Sequence, residues 1–208
     1  MYGLPKSTEV SRQLPKAAIY RKFNVSAKDQ EMIDRDVSRL DIVNEVSGRT
    51  TAINPGEHVQ SFFVIKVQLK RMDYDPESIQ KLMGLIGQKC IFALTVFGEV
   101  SLACCYIKLF TTEFHKEDEA SLPLEGLNLD VAWDNALASV IGVDHIEETS
   151  LDFQVKRKIR LLDMYTELEK LKKNEKKEMQ PRRKQDLHTK VIKLKKEIEE
   201  LESNPLMA

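Results

Sequence analysis

Hydrophobic positions along this chain switch between two periods, and the switches delimit its elements. Behind Ser26 and Asp29, residue types that suit a helix N-terminus, Met32, Ile33, Val37 and Leu40 recur at helical spacing and predict a helix over residues 26–39. From Leu40 the pattern alternates: LDIVNEVS sets Leu40, Ile42 or Val43, and Val46 against polar neighbours, and SGRT offers a turn before Thr51-Ala52-Ile53. A hairpin-like pair of strands follows from that reading, closed by the turn signal Asn54-Pro55-Gly56. The segment from Gln60 to Lys70 is apolar on both faces at Phe62, Phe63, Val64 and Ile65, as a central strand is. A helix then begins at Asp75-Pro76-Glu77, carries Ile79, Leu82, Met83 and Ile86 on one face, and ends at Gly87.

Cys90 to Phe97 and Val100 to Phe110 read as two strands joined at Gly98-Glu99, a Gly-X pair that fits a type II′ hairpin. EFHKEDEA reads as a solvated acidic loop. Residues 127–142 follow as a packing helix capped by Asn128 or Asp130, anchored by Trp133 and closed by Gly142. The first 25 residues hold Leu-Pro-Lys twice, at Leu4 and Leu14, and form an N-terminal arm with a short helix and a bend. The order αββ(β)αββ describes an α+β or α/β body over residues 1–150, a mixed sheet of about five strands flanked by helices.

Residues 151–203 change character. Leu187, Val191, Leu194, Ile198 and Leu201 follow a 4-3-4-3 spacing, the seam of a coiled coil, and Ile159, Leu162, Met164, Tyr165, Leu168 and Leu171 give an earlier helix. Pro181 breaks the pattern between them. The tail is therefore a basic helical hairpin or, alternatively, a coiled coil that joins two copies of the chain as a homodimer.

Charge adds to this division. Residues 154–202 hold 16 Lys+Arg against 10 Asp+Glu, and residues 1–153 hold 16 against 23, so a basic arm follows an acidic body within a net charge of −1. Such an arm seeks phosphate or an acidic protein surface. The candidates for a nucleic-acid contact are Lys176, Lys177, Arg182, Arg183 and Lys184 beside the proline break. Their other reading is a solvated helix face paired with Glu167, Glu169, Glu175 and Glu178. Cys90, Cys104 and Cys105 are odd in number and lack CxxC spacing, which points to reduced thiols in a cytoplasmic protein. No leader or membrane span is expected.

Few motifs of catalysis are present. The chain lacks GxxxxGK[ST], GxGxxG and GxSxG, and His58, His115, His145 and His188 are too scattered for a metal site, so no cofactor or metal is expected. One candidate remains at the end of the central strand, where Gln68-x-Lys70 stands in the place of the acid-x-Lys of restriction-endonuclease-like nucleases. In that reading Asp41 or Glu57 would join Gln68 in holding Mg²⁺ and Lys70 would polarise the attacking water. The other reading is a core strand whose polar end emerges into solvent.

YGLPKSTEVSRQLPKAAIYRKF, RLDIVNEVS, VIKVQLKRMDYD and QPRRKQDLHTKVIKLKKEIEELE together resemble the bacterial proteins of domain of unknown function family 4391, over nearly the whole chain. The resemblance implies an accessory role beside helicases and DNA methyltransferases in restriction or phage-defence systems. Two readings follow: a non-catalytic adaptor that binds such a partner and nucleic acid, or the metal-dependent nuclease of the system.

Overall fold

The computed structural model describes residues 1–143 and 149–204. It divides into two compact units, Met1–Gly142 and Val143–Ala208.

The first unit is built on one mixed seven-stranded sheet of order β1-β2-β3-β4-β5-β6, with β7 paired to β5. The strands are β1 (Glu9–Gln13), β2 (Val37–Ser47), β3 (Ser61–Leu69), β4 (Cys90–Val96), β5 (Glu99–Cys105), β6 (Leu109–Thr111) and β7 (His115–Lys116). Only β3 and β4 run parallel; the other pairs are antiparallel. That parallel pair requires a crossover, supplied by helix α3 (Pro76–Ile86). Helices α1 (Lys16–Lys22) and α2 (Ala27–Asp36) precede the long strand β2, and α4 (Leu129–Ile141) follows the sheet.

The alternation of β3 sorts its side chains. Ile65, Val67 and Leu69 join Ile33, Val37, Leu40, Ile79, Leu82, Phe92 and Leu94 in one buried cluster. On the opposite face Phe62 meets Trp133 of α4, ring centroids 5.2 Å apart. Each fully buried large side chain contributes about 1.5–3 kcal/mol. The caps expected at α3 and α4 are present: Asp75 accepts from the Glu77 N–H, Asn128 accepts from the Val131 N–H, and Gly87 and Gly142 take the left-handed conformation.

Several boundaries differ from expectation. Val37 and Leu40 complete a helical period yet belong to β2, because a bulge between Val37 and Arg39 turns both residues inward. Thr51-Ala52-Ile53 forms no strand; the antiparallel partner of β2 is β3, and Asn54 makes only an isolated bridge to Asn128. The N-terminal arm contains a strand as well as the expected helix: β1 is an exposed edge whose pairing, not its pattern, defines it. The segment Val100 to Phe110 is two strands, since Cys105 opposes Leu109 and the chain returns along β5. His115 and Lys116, expected in a loop, pair with Val100 and Glu99. The β4–β5 turn is centred on Phe97-Gly98, not Gly98-Glu99, for Val96 opposes Glu99. Phe97 and Gly98 both have positive φ, 49° and 86°, which is the type I′ signature. A left-handed phenylalanine costs about 1–2 kcal/mol relative to its right-handed form.

The second unit is a helical hairpin of α5 (Leu151–Lys177) and α6 (Pro181–Ser203). Val191, Leu194, Ile198 and Leu201 are buried and Leu187 is half-buried, and the first three of these pack with Leu168, flanked by Leu161, Met164 and Leu171. The predicted seam is thus occupied within the chain. Tyr165 Oη donates to Glu202 Oε1 at 2.6 Å and further ties the helices. Among the described residues, no helix is long and apolar enough to cross a membrane.

One buried charge joins α2, the end of β3 and α3. Asp36 is 0 % exposed. Its Oδ1 accepts from Arg71 Nε and Nη2 at 3.0 and 2.8 Å, and its Oδ2 accepts from the Asp75 N–H and Ser78 Oγ, each at 3.0 Å. Burial raises the Asp36 carboxyl, but the Asp75 amide, the Arg71 guanidinium and the Ser78 hydroxyl outweigh it and hold the group below the usual carboxylate range. Asp36→Ala is expected to destabilise the body by about 1–3 kcal/mol, because the Asp75 amide and the Ser78 hydroxyl lose their acceptor while the half-exposed Arg71 turns to solvent. Urea unfolding followed by the fluorescence of Trp133, the single tryptophan, measures this. A depressed carboxyl stabilises above its unfolded value, near 3.9, and that stability is lost as pH falls through the folded value. The acid limb of stability should therefore flatten in Asp36→Asn.

Candidate functional site

The end of β3 presents the residues that the sequence singles out. Successive side chains alternate, so Lys66 and Gln68 share the sheet face opposite the main cluster. Gln68 lies opposite Arg39 on β2 and Thr95 on β4; Lys66 lies opposite Asp41 and Ala93. Lys66 Nζ donates to Glu117 Oε1 at 2.6 Å, and Tyr2 Oη donates to the same oxygen at 3.2 Å. Burial, then Glu117, raises the Tyr2 phenol. These groups border an open cleft of about 430 Å³ at the carboxyl ends of β3 and β4, with Phe97 at its rim. Ligands of α/β sheets bind at such strand ends.

Of the members of the nuclease reading, Asp41 stands diagonally across from Gln68, while Lys70 and Glu57 are held in other contacts. Lys70 turns back and donates to the Asp34 carbonyl at 2.5 Å, while its own amide donates to the Asp36 carbonyl at 2.8 Å. Asp41 is held by Arg39, whose Nε and Nη2 donate to its two oxygens at 2.7 and 2.8 Å. Glu57 precedes β3 and Lys70 follows it, so roughly 30 Å of strand separates them. The Glu57 position is fixed by Asp130, which accepts from the amides of Glu57, His58 and Val59 at 2.7, 3.1 and 2.7 Å. Gly56 makes that approach possible, for a Cβ there would lie 2.3 Å from Asp130 Cγ. Asp130 is therefore the clamp of this loop, and Asn128 is the cap of α4.

Among the described residues, no group of three or more His, Cys, Asp or Glu side chains could hold a metal ion. His115 Nδ1 lies 2.9 Å from the Glu113 carbonyl and His188 Nδ1 lies 2.8 Å from Glu175 Oε1. His58 takes part in the Asp130 loop through its backbone, and His145 lies outside the described residues. Cys104 and Cys105 face opposite sides of β5, Cys104 buried and Cys105 exposed. Burial, and secondarily Cys105, pushes the Cys90 and Cys104 thiols up to about 12, which keeps them protonated and inert.

The basic residues gather at the tip of the hairpin. Lys176 and Lys177 close α5, and Arg182, Arg183 and Lys184 fill the first turn of α6 behind Pro181. All five are exposed. Lys176 contributes to the field that lowers the Glu169 carboxyl, whose chief cause is the hydrogen bond from Lys172. Lys177, Arg182, Arg183 and Lys184 make no side-chain hydrogen bond or ion pair among the described residues. The α6 N-terminus has neither a side-chain cap from Gln180 nor an acidic residue in its first turn. Its partial positive charge therefore adds to three cations.

A family model described as "Domain of unknown function (DUF4391)" matches residues 2–198. No curated protein and no solved structure matches the chain.

Two outcomes follow from these placements. In a thiol titration with a disulfide reagent, Cys105 should react in the folded protein, whereas Cys90 and Cys104 should react only on unfolding. With Mg²⁺ or Mn²⁺ the purified chain is expected to leave single- and double-stranded DNA and RNA intact. Cleavage that disappears in Lys70→Ala would reverse that expectation and make Gln68-x-Lys70 a site.

Proposed function

We propose that this chain, which belongs to the domain of unknown function family 4391, is a non-catalytic adaptor that carries a basic arm to nucleic-acid phosphates. The observation that carries this reading is the hairpin tip. Lys177, Arg182, Arg183 and Lys184 are exposed cations without an anionic partner among the described residues, three of them on a helix terminus that already repels them. An arrangement made for helix stability alone would place Asp or Glu in that turn. Phosphate oxygens supply the missing counter-charge, and a polyanion can engage all four positions at once. The seam that could have joined two arms is filled inside the hairpin, which leaves the outer faces and the tip for contact.

The body is the proposed docking unit for a helicase or DNA methyltransferase subunit of a bacterial restriction or phage-defence system. Support for that partner comes from the family context alone. Support for a non-catalytic role comes from the separation of Lys70, Asp41 and Glu57, each held by a different structural contact.

Binding of duplex DNA to the full-length protein, followed by fluorescence anisotropy over a salt series, tests the arm. Affinity should fall steeply with salt, and replacing Arg182, Arg183 and Lys184 together by alanine should lower the slope of log K against log salt by about three. Absence of binding at low salt, or an unchanged slope in the triple variant, would remove this reading.

A further inference from the structure

We infer that the cleft at the carboxyl ends of β3 and β4 binds an unpaired nucleobase, stacked on Phe97 and held at its edge by Gln68, Glu117 and Lys66. The inference rests on the reading of the chain as a nucleic-acid-binding adaptor and names the part of the nucleic acid that the body takes.

Phe97 is the first observation. Its side chain is 85 % exposed, and it occupies the first central position of a type I′ turn at φ 49°, where Asn, Asp or Gly is favoured. Among the described residues the ring makes no aromatic contact and belongs to no buried cluster. No contact among the described residues accounts for a strained, solvated phenyl ring, and strain held in that way points outward to a ligand.

The cleft beside it is the second observation. It opens to about 430 Å³, within the range of small-molecule sites, and Phe97 forms its rim with Lys66, Gln68, Thr95 and Glu117. Its one ammonium faces its one carboxylate at 2.6 Å, so the lining is electrically balanced and favours a neutral polar group over a phosphate. The hydrogen-bonding capacity is nevertheless large. The Gln68 amide has no side-chain partner among the described residues and offers both a donor and an acceptor. Glu117 Oε1 receives Lys66 and Tyr2, which leaves Oε2 to accept from an N–H on a base edge, such as the N3–H of thymine or uracil. A neutral, planar ring with donors and acceptors along one edge matches a stacking face, an amide and a carboxylate in one cleft. A nucleobase is such a ring, and only an unpaired one exposes both its face and its pairing edge.

Labelled oligothymidine and oligouridine, measured by fluorescence anisotropy against the full-length protein, are the probes. Phe97→Ala should weaken binding of the better probe about tenfold and leave the salt slope unchanged, and Phe97→Tyr should retain binding. The tighter of the two probes identifies the source as DNA or RNA. A blunt duplex should not respond to Phe97→Ala. The arm variant alters the salt slope instead, so loss of the slope effect removes the arm reading while the Phe97 effect stands or falls separately. Phe97→Asn supplies a control on folding: it relieves the left-handed strain, and its Tm should rise by about 2–4 °C while oligonucleotide binding falls. Wild-type oligonucleotide affinity in Phe97→Ala, an equal loss on the duplex, or a lower Tm in Phe97→Asn would each overturn the proposal.

Discussion

A carboxylate without solvent, Asp36, ties together the last turn of α2, the loop that leaves β3 and the first turn of α3. Its four hydrogen bonds come from Arg71, Asp75 and Ser78, all in or beside the α3 crossover. The parallel pair of β3 and β4 exists only because that crossover returns the chain to the same end of the sheet. Asp36 therefore fixes where α3 starts, and so where the carboxyl ends of β3 and β4 stand side by side. An apolar residue could fill the same space, but it would leave the part-buried Asp75 amide without its acceptor and the half-exposed Arg71 without its counter-charge. The arrangement works as a set, and no member of it substitutes for another.

The strongly patterned elements were legible in the sequence. β3, α3, α4 and the two tail helices carry clear apolar spacing, to which α3 and α4 add caps and stop glycines, and each forms close to its expected place. The elements that escaped are those defined by a partner. β1 is exposed along most of its length and has no alternation to read; only its pairing with β2 makes it a strand. Val37 and Leu40 imitate a helix because a bulge restores a three-residue spacing within a strand. The turn at Phe97-Gly98 was displaced by one residue in the reading because a left-handed phenylalanine is disfavoured, and local preference moves the turn to the glycine pair.

The site was less legible for a similar reason. Gln68-Leu69-Lys70 looked like a unit because its residues adjoin, but the fold separates them. Gln68 stands beside Lys66 across from Thr95, while Lys70 turns to the Asp34 carbonyl at the edge of the Asp36 network. Glu117 and Tyr2 reach Lys66 from distant segments, and no spacing in the chain announces either contact. Asn54-Pro55-Gly56 was recognisable as a turn, yet the need for glycine lies in the close approach of Asp130 from α4. Sequence adjacency carries candidate chemistry only where a strand keeps it in register.

Two exposed places in the chain run against local preference, and they lie in different units; the other left-handed aromatic, Tyr2, is buried. α3 has a cap, a proline at its first position, an acidic first turn and a left-handed glycine at its end. α6 keeps only the proline and puts three cations where the helix field opposes them. Among the turns, Gly87 and Gly142 take positive φ without a side chain, whereas Phe97 takes it with a ring that packs against no buried cluster. Among the described residues neither exception is compensated within its own unit. A stabilising origin would require a contact that offsets the strain or the repulsion, and the described residues supply none at either position. The proposed reading gives both exceptions one explanation, a ligand outside the chain that is both polyanionic and aromatic, and nucleic acid combines those properties in one molecule.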